Sequence, residues 1–110
     1  MPSDNNKKQQ LVFTTCPDEN TAEQIASTLV QCKIAACVNI VRGVKSVYQW
    51  QDKIEQDDEV LLLIKSDIGH YKQLEKKILA LHPYELPEIL AVTVDRGSQA
   101  YLNWITTRLD

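Results

Sequence analysis

The stretch Cys37-Val38-Asn39-Ile40-Val41-Arg42-Gly43-Val44-Lys45-Ser46-Val47-Tyr48-Gln49-Trp50, followed by Gln51-Asp52-Lys53 and then by Ile54 to Lys65, decides the fold. It reads as two strands folded back on each other across a polar turn. β-Branched and aromatic residues dominate the first arm, which suits a pleated, half-buried surface. The second arm starts charged, with Glu55, Asp57, Asp58 and Glu59, and ends in the apolar run Val60-Leu61-Leu62-Leu63-Ile64. Its near end is therefore wet and its far end is buried on both faces.

A first arm of about 14 residues at roughly 3.3 Å each reaches roughly 45 Å. A domain of this size has a radius of gyration of roughly 13 Å, so the hairpin tip overhangs its own core. The overhang carries Tyr48 and Trp50 together with unpaired strand edges, and such edges invite pairing with another chain. A symmetric oligomer, each hairpin pairing with a neighbour, is the economical solution. The competing geometry is a bulge at Gly43 that folds the hairpin back over its own sheet.

At 110 residues the chain is one domain with a small core, so subunit contacts are useful. Hydrophobic content of 44% and charged content of 25% are ordinary globular values. A net charge of −3, with Lys72, Lys76 and Lys77 as the one basic cluster, argues against nucleic acid as a partner. Residues 1–10 are polar throughout and read as a disordered tail, neither secretory signal nor membrane anchor; residues 11–110 form the domain. No stretch approaches the roughly 20 apolar residues of a membrane span. Three cysteines and no signal peptide imply reduced thiols and a cytoplasmic protein.

Outward from the hairpin, Leu11 to Cys16 is a short strand stopped by Pro17. Asp18 or Asn20 caps a helix whose apolar face is Ala22, Ile25, Ala26, Leu29 and Val30. Ser66 or Asp67 caps a second helix, with Ile68, Tyr71, Leu74, Ile78 and Leu81 as its stripe. It ends at His82, because a residue before proline is pushed out of helical geometry. His82 to Glu88 is an irregular two-proline connection, Ile89 to Val94 a last strand, and Ser98 the cap of a terminal helix. Strand, helix, strand, strand, helix, strand is the order of a split βαβ arrangement: one antiparallel sheet with both helices on one face, here with an extra C-terminal helix.

Few residues offer chemistry. Cys16 is either a small buried hydrophobe or a thiolate at a helix N-terminus, hence a soft-metal ligand. His82 is either a helix-end residue packed on Pro83 or a metal-binding imidazole. Glu55, Asp57 and Glu59 share a strand face, as a solvated hairpin surface, as hard oxygen ligands or as one wall of an intersubunit pocket. Gly43, Gly69 and Gly97 are isolated, so no phosphate cradle is encoded.

Ala35-Ala36-Cys37-Val38-Asn39, Ser46-Val47-Tyr48-Gln49-Trp50, Glu59 and His82-Pro83-Tyr84-Glu85-Leu86-Pro87-Glu88-Ile89 occur in an order that resembles the CutA divalent-cation-tolerance proteins. Thr15-Cys16-Pro17-Asp18 and Tyr101-Leu102-Asn103-Trp104-Ile105 are similar too, so the resemblance covers roughly residues 11 to 109. It implies a ferredoxin-like fold, a homotrimer built by strand pairing between subunits, and a non-enzymatic cytoplasmic protein of copper and other divalent-metal tolerance. The copper ligands proposed for some members of the family are a first-strand Cys and a His-His pair before the Pro-Tyr. Here His82 matches the second His, Leu81 stands at the first, and Thr14 stands at the Cys position with Cys16 two residues on, on the same strand face. The implied metal site is thus Cys16 with His82, holding copper or another divalent cation weakly. Two further readings accompany it: a small-ligand signalling module whose intersubunit cleft is lined by Tyr48, Trp50, Glu59 and Lys65, and a structural trimer that anchors a protein partner.

Overall fold

The computed structural model describes residues 8–110. Its strands are β1 (Gln9–Cys16), β2 (Cys37–Trp50), β3 (Lys53–Asp67) and β4 (Leu90–Thr93); its helices are α1 (Glu19–Gln31), α2 (Tyr71–Leu81) and α3 (Gln99–Thr107). One four-stranded antiparallel sheet runs in the order β2-β3-β1-β4. This is the expected α+β, ferredoxin-like split βαβ topology with its long central hairpin and extra C-terminal helix.

Alternation along the strands explains the layers. Val12, Leu62 and Ile64 face α1 and α2, where Ile25, Leu29, Leu74 and Ile78 meet them, and all of these are fully buried. Every second residue lies on the opposite face. Gln9 and Lys65 lie there and hold α3: Gln9 Nε2 donates to the Leu102 carbonyl (3.1 Å) and to Thr106 Oγ1 (3.0 Å), and Lys65 Nζ donates to the Tyr101 hydroxyl (3.1 Å).

The expected tail, residues 1–10, is cut short by β1. Residues 1–7 lie outside the described residues, but Gln9 and Gln10 are strand residues. Their amides are satisfied, that of Gln10 by the Asp67 carbonyl at 2.8 Å, so polar side chains extend the strand at no cost. Asp18, not Asn20, caps α1, accepting from Thr21 N at 2.8 Å, and this donation holds its carboxyl below the usual carboxylate range. Asp67, not Ser66, caps the second helical segment, because the Ser66 hydroxyl is already committed to the Ile34 carbonyl at 2.7 Å. A single 3₁₀ turn, Ile68–His70, precedes α2.

The hairpin overhangs. Beyond Val60, β3 leaves β1 and pairs with β2 alone, so residues 53 to 59 form a two-stranded ribbon with a free edge. The described residues measure 49 × 25 × 23 Å, far longer than they are wide. A bulge does occur between Val41 and Val44, with Gly43 at φ 78°, but it does not fold the ribbon back. The turn is tighter than expected: Trp50 pairs with Lys53, leaving Gln51 and Asp52 at φ 52° and 67° as a two-residue turn.

Candidate ligand cleft

At the root of the ribbon the register places Ser46 opposite Asp57, Val44 opposite Glu59 and Tyr48 opposite Glu55, all on the face away from α1 and α2. The connection after α2 runs over this face. Because His82 precedes Pro83 it leaves the helix in extended geometry (φ −81°, ψ 136°), and the chain turns toward the ribbon. Between ribbon and connection lies a cleft of about 730 Å³. Tyr48, Trp50 and Tyr84 supply its aromatic surface; Asp57, Glu59, Glu85 and Glu88 supply four carboxylates, and no Lys or Arg lines it.

His82 fastens the connection in place. Its Nε2 lies 2.7 Å from the Thr15 carbonyl, which can only accept, so Nε2 carries the proton. Its Nδ1 lies 3.1 Å from the Tyr84 backbone N–H, which can only donate, so Nδ1 accepts. Both ring nitrogens are therefore used, in the neutral tautomer. The Tyr84 ring packs at 4.7 Å from the imidazole, and its hydroxyl donates to Glu59 Oε2 at 2.8 Å. An unbroken chain of contacts thus runs from β1 through His82 and Tyr84 to Glu59.

Each tyrosine of the cleft is a neutral donor. Burial, then the hydrogen bond to Glu59, pushes the Tyr84 phenol far up. The hydrogen bond from Tyr48 to Asp57 pushes the Tyr48 phenol up to about 12. Glu59 is only 7% exposed, and with Oε2 taken by Tyr84 its second oxygen has no donor among the described residues.

Three of the four residues expected in a ligand cleft, Tyr48, Trp50 and Glu59, line this one. Lys65 does not. It lies six positions along β3 from Glu59, under α3, with its ammonium on the Tyr101 hydroxyl and 5.3 Å from that ring's centre. Tyr84, Glu85, Leu86 and Glu88 complete the cleft. Only a fold that returns the two-proline connection to the ribbon brings them there.

Cys16 and His82 meet the same end of β1, His82 through the Thr15 carbonyl. Cys16 is fully buried, and burial, reinforced by Asp18 and Glu59, pushes its thiol up to about 11. A protonated thiol and an imidazole with both nitrogens hydrogen-bonded do not fit a soft metal ion as arranged here. Among the described residues no three His, Cys, Asp or Glu side chains gather as a metal cage. Thr14 is fully buried, and its Oγ1 has no hydrogen-bond partner.

The family model described as CutA1 divalent ion tolerance protein matches residues 10–108. The chain belongs to the CutA1 family. It is 42% identical over 97 residues to the divalent-cation tolerance protein CutA of Thermus thermophilus, covering 88% of this chain and 94% of that one. It is 41% identical over 93 residues to the protein CutA of Mus musculus, of which it spans 52%. The crystal structure of CutA from Xylella fastidiosa superimposes with a TM-score of 0.91 at 47% identity, over 94% of this chain and 99% of that one. No helix among the described residues is long and apolar enough to cross a membrane.

Proposed function

We propose that this CutA1 protein serves divalent-cation tolerance as a non-enzymatic homotrimer whose acidic cleft is its ligand site. The observation that carries the reading is the cleft itself: four carboxylates, two of them held by tyrosines, with no basic side chain in the lining. Such a wall concentrates cations. Its oxygen ligands hold a divalent metal ion weakly and exchangeably, with a neighbouring subunit completing the shell. The trimer reading is supported by the free ribbon edge at residues 53 to 59 and by Val47 and Ile54, 61% and 69% exposed in the single chain. The non-enzymatic reading is supported by the chemistry of the candidate groups: His82 is fully hydrogen-bonded, and the Cys16, Tyr48 and Tyr84 protons are held tightly. Three free cysteines suit a reducing compartment, the cytoplasm.

Copper on Cys16 and His82 has less support, for the reasons of proton and hydrogen-bond occupancy given above. Two measurements test the assembly and separate the two metal readings. Native mass spectrometry at submicromolar protein gives a trimer, loosened by Trp50→Ala; a monomer for the wild type overturns the assembly. Zinc and copper titrations at pH 7.5 weaken in Asp57→Asn and Glu88→Gln and are unchanged in Cys16→Ser. Weakening confined to Cys16→Ser and His82→Ala returns the site to the thiol–imidazole pair.

A further inference from the structure

The cleft is larger than a metal ion requires. At about 730 Å³ it falls in the range of sites that enclose small organic molecules, roughly 300 to 1,000 Å³. Its walls also carry what a bare metal ion does not use. In the single chain Trp50 and Tyr48 keep 43% and 41% of their surface exposed at the ribbon end, while Tyr84 lines the cleft beside Glu59. Asp57 and Glu59 lie between them. Ring faces attract a cation through their quadrupole, and they bury an alkyl chain at the same time.

The state of Glu59 narrows the ligand further. The residue is 7% exposed, its carboxylate receives one hydrogen bond from Tyr84, and it has no Lys or Arg ion-pair partner among the described residues. A carboxylate on a largely desolvated residue, with no cationic side chain beside it, is costly unless something supplies positive charge. A ligand that brings N–H donors and positive charge together satisfies it, and Asp57, Glu85 and Glu88 can take a second cationic end.

We propose that the cleft binds a small organic cation, an alkyl ammonium or guanidinium compound, with its charged group on Glu59 and Asp57 and its alkyl chain between Trp50, Tyr48 and Tyr84. This rests on the reading of the cleft as the ligand site and names a second class of cation for it. Divalent metals then compete with the amine for the same carboxylates, which couples amine occupancy to metal load by mass action.

The test is calorimetric titration of the intact wild-type protein with spermidine, putrescine and agmatine, with 1,4-butanediol as the neutral isostere of putrescine. The amines bind and the diol does not. Affinity falls at least about fivefold in Glu59→Gln and in Trp50→Leu, the latter titrated at a concentration at which native mass spectrometry shows it still trimeric. Glu88→Gln, at the rim, serves as a second charge variant if Glu59→Gln fails to fold. Zinc present during the titration lowers the apparent amine affinity. No binding of any amine by a protein that still binds zinc through Asp57 and Glu88 overturns this proposal and leaves the cation cleft standing; loss of both overturns both. Equal binding of amine and diol, or amine binding indifferent to Trp50→Leu and to both charge variants, also overturns it. A Lys-containing or Arg-containing peptide that binds while the free amines do not moves the same chemistry to a protein partner and overturns the small-molecule assignment.

Discussion

Cys16 makes the alkaline stability of the protein predictable. In the folded chain its thiol is pushed from an ordinary 9.0 to about 11, first by burial and then by the charges of Asp18 and Glu59. In the unfolded chain it titrates at the ordinary value. Below pH 9 both states hold the proton and the thiol has no pH-linked effect. Between pH 9 and about 11 the unfolded chain gives up its proton while the folded chain keeps it, so stability falls as pH rises. The loss amounts to roughly 2 to 3 kcal/mol by pH 11. Cys16→Ala removes this dependence and costs a pH-independent amount of about 1 kcal/mol for the buried group it deletes. The variant is therefore the less stable protein at pH 7.5, and the two cross between pH 9 and 11. Urea unfolding of both proteins at equal subunit concentration, under reductant, at pH 7.5, 9, 10 and 11 gives the difference curve. The Tyr48, Tyr71 and Tyr84 phenols, all held up, titrate in both proteins and cancel in it. Parallel curves through pH 11 would refute the reasoning and would mean that the folded thiol titrates where the unfolded one does.

Thr14→Val replaces a buried hydroxyl that has no hydrogen-bond partner by a methyl of nearly the same shape. Stability rises by about 1 kcal/mol or more, read as a higher urea midpoint, and a lower midpoint means that the hydroxyl is satisfied in solution. Gly43→Ala meets no atom within 4 Å of the new methyl but must hold φ 78° at the bulge, so the cost is conformational, roughly 1 to 2 kcal/mol in the same assay. An unchanged midpoint would show that the bulge relaxes.

Much of the fold is legible along the chain because it rests on local pattern. The alternation of Cys37 to Trp50, the polar break after it and the apolar run Val60 to Ile64 define the hairpin, and β2 begins and ends where that pattern does. The 3.6-residue spacing of Ala22, Ile25, Ala26 and Leu29 defines the buried face of α1. Strand-face parity puts Tyr48, Asp57 and Glu59 on one side of the ribbon, so half of the cleft follows from a period of two.

The other half does not. Tyr84, Glu85 and Glu88 sit in a connection without periodicity, and their place over the ribbon depends on a ring nitrogen of His82 finding the Thr15 carbonyl 67 residues away in sequence. Lys65 shares a strand face with Glu59, yet α3 claims its ammonium through Tyr101, a contact between segments 36 residues apart. Cys16 precedes a helix cap, the position at which a lone sequence promises an activated thiolate. Only packing decides otherwise, because α1, α2 and the sheet close over it and exclude the water a thiolate needs. Local pattern determines which residues share a face. Which groups are desolvated, and which donors and acceptors are already spent on one another, is set by contacts between distant segments, and those contacts exist only in the folded chain.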